Sequence, residues 1–191
     1  MRYDKLWILI LSFSACTTAS HETVSKGTTT QEVLATELTF DRQRGLALLA
    51  GEPFCGLAVR YQDSLKVATT TYKFGRKHGR CQKWFEEGAL SYEAYYKNGK
   101  QDSITRTWWK NGTLRSEAHF KEGRAEGLQL SWYRSGAKFK AIQLVHGKED
   151  GLQKAWRENG KIYNNYEAKN GRIFGLKRAA LCYELEEEEI Q

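Results

Sequence analysis

The sequence predicts an all-β protein, an elongated antiparallel β-meander of repeated β-hairpins that form one long sheet. Three observations carry this. Glycine recurs every 24 residues, at Gly51, Gly75, Gly99, Gly123, Gly147 and Gly171. Tryptophan keeps the same period at Trp84, Trp108, Trp132 and Trp156. Each unit also holds two turn signals, with short runs of alternating character between them, which is the pattern of two half-exposed strands.

In chain order, residues 1–15 read as an export signal. Arg2 and Lys5 precede the apolar run from Leu6 to Leu11, and Ser14 and Ala15 are small. That run is too short to span a bilayer as a helix. Small residues followed by Cys16 resemble a bacterial lipobox, and the resemblance implies that Cys16 is the lipidated first residue of the mature chain. Phe13 stands where an aliphatic residue is usual, so ordinary cleavage stays open. Residues 16–37 are rich in Thr, Ser and Gln without apolar periodicity, and read as a flexible spacer above the membrane.

Residues 38–183 are read as the repeat array. Leu38 to Phe40 and Gly45 to Ala50 are expected to be strands that cap its start. One turn per unit falls at Asn98-Gly99, Glu122-Gly123, His146-Gly147 and Asn170-Gly171, the other at Glu87-Gly88, Asn111-Gly112, Ser135-Gly136 and Asn159-Gly160. Asn-Gly is a strong hairpin signal because both residues tolerate positive φ. A further column holds Gly79, Ser103, Gly127, Gly151 and Gly175. After Gly175 the chain reads as a last strand or a short helix, and residues 184–191 as an acidic tail.

Because the period is even, each position returns to the same face. The even positions, with the four Trp, are expected to form a continuous core. They include Ile104, Leu128, Leu130 and Leu152, and Tyr92, Ala94, Tyr96 and Ala118. The odd positions are mostly polar but carry Phe85, Trp109, Tyr133 and Arg157 in one column, with Tyr95 and His119 across the sheet. These six are the candidate binding surface, read against plain cross-strand packing that stiffens the sheet.

Composition bounds the partners. The chain carries 30 Lys+Arg against 23 Asp+Glu, a formal charge of +7. From Asp41 to Tyr183 there are 27 basic and 14 acidic residues, a charge of +13. A basic body favours anionic partners. An exported protein makes nucleic acid an unexpected one, whereas anionic lipid or glycan fits. Cys55, Cys81 and Cys182 show no metal-ligand spacing, and the sequence does not choose a pairing among them.

No catalytic residue, metal site or cofactor is predicted. His21, His78, His119 and His146 have no ligand spacing, and no nucleotide or nucleophile motif is present. Glu93 and Glu117 are repeat-equivalent carboxylates, read as solvated.

Three features carry a family resemblance: the turn Gly147-Lys148-Glu149-Asp150-Gly151, the pairs Trp84-Phe85, Trp108-Trp109 and Trp132-Tyr133, and the turn Asn111-Gly112-Thr113-Leu114. They resemble MORN-repeat variant proteins, in particular the bacterial antitoxin-like proteins of the YwqK type. The resemblance implies a twisted sheet of stacked hairpins, and the lack of any catalytic constellation in the sequence implies a non-catalytic role. The expected function is a surface-tethered protein-binding or scaffold module of the bacterial envelope, on its periplasmic or outer side. An antitoxin or immunity protein that binds a toxin directly is the alternative, with peripheral lipid or glycan binding a third.

Overall fold

A computed structural model gives the fold and describes residues 31–174. The signal segment, Cys16, His21, Cys182, the C-terminal segment and the acidic tail lie outside the described residues. Within them the strands are β1 (Glu32–Leu34), β2 (Leu38–Asp41), β3 (Leu46–Leu49), β4 (Glu52–Pro53), β5 (Gly56–Gln62), β6 (Leu65–Lys73), β7 (Arg76–Trp84), β8 (Leu90–Lys97) and β9 (Lys100–Trp108). They continue as β10 (Leu114–Lys121), β11 (Arg124–Ala125), β12 (Gly127–Trp132), β13 (Lys138–Val145), β14 (Lys148–Glu149), β15 (Gly151–Trp156), β16 (Ile162–Lys169) and β17 (Arg172–Phe174).

From β5 onward the strands pair antiparallel in chain order in one long sheet, as the repeats require, with the two-residue β11 and β14 off this path and paired only to β10 and β13. The exception is β1, which adds to β5 in parallel. The spacer boundary at Glu37 is thereby corrected. Val33 is buried in a small core with Leu38, Ala47, Phe54, Ala58 and Tyr72, so the chain is already folded from Glu32. The capping strands form where expected, as a three-stranded sheet of β2, β3 and β4. Pro53 falls on the edge strand β4, where the missing N–H costs no ladder bond.

The two turns of each unit have different geometry. At Asn98-Gly99, Glu122-Gly123, His146-Gly147 and Asn170-Gly171 both central residues have positive φ, between +50 and +84°. These are two-residue turns of the type whose twist matches the strands. The other turns have three loop residues and only the glycine at positive φ, as at Gly88 and Gly112. There Gly112 N–H donates to Trp109 O at 2.9 Å, and Trp109 N–H donates to Thr113 O at 2.9 Å. All turns of the first kind lie along one edge of the sheet and those of the second along the other.

Turn length explains a correction to the predicted core. Across a two-residue turn, residue i faces residue i+3, so an even residue always faces an odd one. Ala94 faces Cys81 on one side and Thr105 on the other. Directly opposed residues share a face. One face, the Ala94 face, therefore carries Cys81, Tyr92, Ala94, Tyr96, Thr105, Ala118, Ile142 and Gln153. The other, the His119 face, carries Glu93, Ile104, His119, Leu128, Leu130 and Leu152. The even positions do not make one core.

The Trp column follows a second irregularity. Lys83 faces Tyr92 but Trp84 faces Leu90, so Ser91 is an extra residue. Arg115, Phe139 and Tyr163 are the matching extra residues further along. A β-bulge in every unit adds twist and re-aims the side chains next to the three-residue turn. The four Trp are half-buried beside these bulges.

Burial in a single sheet comes from neighbours on the same layer. Ala94 has no exposed surface. Its flanking residues Tyr92 and Tyr96 reach over it until their hydroxyls lie 3.3 Å apart. Gln153 is 1% exposed and spends its amide on the backbone. Its Nε2 donates to Gln143 O at 2.9 Å and Gly151 O at 3.1 Å, while Gln143 N–H donates to Gln153 Oε1 at 2.9 Å. Gln129, one period earlier, donates to His119 O, Glu126 O and Gly127 O.

Two outcomes are expected. Ser103 sits at φ +72° in the column where Gly79, Gly127 and Gly151 also have positive φ. Replacing Ser103 with Gly removes the left-handed strain and is expected to raise stability by about 0.5–1 kcal/mol after the unfolded-state entropy of Gly is deducted. Gln153→Leu strands the amide and carbonyls it serves, and is expected to cost about 2–4 kcal/mol. Urea unfolding midpoints at constant m-value check both.

Candidate functional site

The six sequence candidates fall into two groups at opposite edges of the sheet. Phe85, Trp109, Tyr133 and Arg157 close the four three-residue turns through their backbone amides, at 2.8–2.9 Å. Tyr95 and His119 lie near the two-residue turns, six or so residues along the strands, which is roughly 20 Å away.

The first group is stitched along its edge. Trp109 Nε1 donates to Trp132 O at 3.2 Å, and Tyr133 Oη donates to Trp156 O at 2.9 Å. Asn111 Nδ2 donates to Arg134 O at 3.0 Å, and Lys110 pairs with Glu87 at 3.0 Å. The bulge residues complete the stack. Arg115 lies over the Trp109 ring at 4.6 Å, and Tyr133 and Phe139 pack with ring centroids 4.9 Å apart. Trp109 and Tyr133 therefore serve the unit that follows them, and the Phe85 ring lies 5.9 Å from the next unit's Lys110 Nζ. Arg157 is exposed.

His119 belongs to a charged cluster on its own face. Glu117 accepts from Arg106 Nε at 2.7 Å and lies 3.7 Å from His119 Nε2. One unit earlier, Glu93 accepts from Gln82 Nε2 at 3.1 Å and lies 3.7 Å from Arg80. The reading of these carboxylates as solvated is corrected. Their side chains are only 15% and 22% exposed, because cross-strand basic and amide partners cover them. They are paired structural charges, which accounts for their recurrence.

Sequence reasoning missed a column on the two-residue-turn edge. His78, Asp102, Glu126 and Asp150 each accept from the backbone N–H of a turn residue 20 positions on. The pairs are Asn98 at 3.5 Å, Glu122 at 3.4 Å, His146 at 2.7 Å and Asn170 at 3.0 Å. The turn glycines add a backbone tie to the preceding unit, as from Gly123 N–H to Gln101 O at 2.7 Å. The signal was present as an acceptor side chain one residue before each Gly79-type position. Its chemical variety, His, Asp, Glu and Asp, hid it.

Cations lie over aromatic rings at seven places among the described residues. The rings thus hold much of the excess positive charge against the sheet rather than leaving it extended in solvent. Among the described residues no group of three His, Cys, Asp or Glu side chains is placed to hold a metal ion. Cys55 is disulfide-bonded. Cys81 is a free, buried thiol whose Sγ lies 3.4 Å from Thr70 Oγ1.

The MORN repeat variant family matches residues 77–98 and 101–122, two adjacent units of the array. Repeats of this family are commonly protein- or lipid-binding modules and in general not enzymes. No curated protein matches the chain.

Two tyrosines of the Ala94 face resist ionisation. Burial and a 2.9 Å hydrogen bond to Glu149 push Tyr166 up to about 12. Burial and the contact with Tyr92 push Tyr96 higher still. The unfolded chain releases these protons near pH 10.0, the ordinary value. The stabilisation is complete below that pH and is lost as pH rises through the folded values. Denaturant midpoints are expected to fall from pH 10 upward, and Tyr166→Phe to flatten that fall.

Proposed function

We propose that the protein is a non-catalytic, surface-tethered repeat module of the bacterial envelope that binds a partner protein through its His119 face. The observation that carries this is an apolar stripe on that face. Tyr95, Leu128, Val145, Leu152 and Phe174 are all exposed, at 37–54% of their surface. Their cross-strand pairs place Tyr95 with Arg80, Leu128 with Gln143, and Leu152 and Phe174 with Glu167 on one side of the sheet. Val145 alternates with Gln143 and shares that side.

A stripe of large apolar residues bordered by charged and amide groups is the composition of a protein-contact surface. The Glu117 cluster with Arg106 and His119 lies within it and supplies polar specificity. This reading retains Tyr95 and His119 from the sequence candidates. It moves the apolar contact from the Phe85, Trp109 and Tyr133 column to the stripe, because those rings already serve the neighbouring turns.

Tethering is argued from the sequence. The apolar run before Cys16 fits export and lipidation, and several acyl chains at ~0.8 kcal/mol per buried CH₂ would hold the protein at a membrane. The disulfide at Cys55 supports an oxidising compartment.

Cross-linking capture from native envelopes tests the reading. Wild type is compared with Leu128→Ser/Leu152→Ser and with Phe85→Ala/Trp109→Ala/Tyr133→Ala. Wild type and the folded fraction of the triple variant are expected to retain one specific partner, and the double variant to lose it. Retention by the double variant and loss by a folded triple variant would return recognition to the turn edge. In the same cells Cys16→Ser is expected to release the protein from the membrane fraction.

A further inference from the structure

The opposite face holds a second feature, independent of the stripe, at the N-terminal end of the array. Arg60 on β5, Ala68 on β6 and Lys83 on β7 lie in one cross-strand row. The two cations of this row are two strand spacings apart, about 10 Å. They line an open trough of about 340 Å³ together with Gln62, Val67, Trp84, Phe85, Ser91, Lys110 and the acidic Glu86. Lys83 lies 5.3 Å above the Tyr92 ring.

The charge here is unspent. Among the described residues no carboxylate pairs with Arg60 or Lys83, whereas Lys110 is matched by Glu87. The trough thus combines the unpaired cations Arg60 and Lys83, aromatic side chains, the neutral hydrogen-bonding groups of Gln62 and Ser91, and one carboxylate, Glu86. An acidic sugar has the complementary parts: a carboxylate, an apolar ring face and hydroxyls. A flat anionic bilayer would meet the turn tips first, and these carry the exposed acids Asp63, Glu86 and Glu87. A polymer strand lying on the face avoids those tips and reaches the cations behind them.

We infer that the trough between Arg60 and Lys83 binds carboxylated sugar units of an anionic glycan. This goes beyond the protein-contact reading and uses the other face, so either can fail alone. The cations supply most of the attraction, and binding weakens as salt rises.

The test is calorimetric titration of the full chain with a galacturonic acid hexamer, beside a neutral glucose hexamer. Binding of the acidic hexamer alone is expected. Arg60→Gln/Lys83→Gln is expected to weaken it at least tenfold with an unchanged circular dichroism spectrum. A charge-matched control at the far edge, Lys100→Gln/Lys121→Gln, is expected to leave it within twofold. Equal weakening by both double variants would reduce the effect to diffuse charge and overturn the site. So would the absence of hexamer binding, or binding of phosphatidylglycerol vesicles in its place that the groove variant abolishes.

Discussion

The array is one layer thick, and most of its other features follow from that constraint. A strand in a sandwich buries one face against a second sheet, whereas these strands have only their neighbours in the same layer. Apolar cover must then come from side chains lying along the sheet. The rings of Tyr92 and Tyr96 closing over Ala94 are that solution in its simplest form. The same constraint explains why small or amide-bearing residues occupy the covered positions. Cys81, Thr105, Gln129 and Gln153 recur at one place in successive units, and each is shielded by larger flanking groups rather than by a facing layer. It also explains why both edges are stitched from unit to unit, one by turn amides and the other by aromatic side chains.

Much of this was legible in the sequence. The glycine columns gave the period, the turn positions and the antiparallel order, because positive φ at a tight turn leaves a compositional mark that no other demand reproduces. The faces were not legible from an even period alone. Their assignment depends on loop length, which pairs odd with even residues, and on a bulge whose extra residue can be Ser91, Arg115, Phe139 or Tyr163 with no shared chemistry. Glu93 and Glu117 looked solvated because nothing in the local sequence shows that Arg80 or Arg106 stands beside them across the ladder. The candidate surface was half legible for the same reason. Its aromatic column was visible as a column, but its engagement with the next unit's carbonyls is a property of the fold.

The two faces and two edges divide the labour of the molecule. The edges fix the geometry of the array through hydrogen bonds that repeat with the unit. The His119 face presents apolar side chains among paired charges, and the Ala94 face presents cations held over rings. A thin sheet can offer two chemically distinct surfaces at once because neither is consumed in making a core.

The ties between successive two-residue turns have a consequence for how such a chain can change length. Each unit brings one acceptor, such as Glu126, and one donating turn, such as His146-Gly147, and each is satisfied by an adjacent copy. Duplicating or excising a whole 24-residue unit leaves every interior donor matched with an acceptor and keeps both faces in phase. An insertion of any other length breaks a tie or turns the remaining side chains over. The number of units is therefore free to drift in descendants of this chain, while the unit length itself is held.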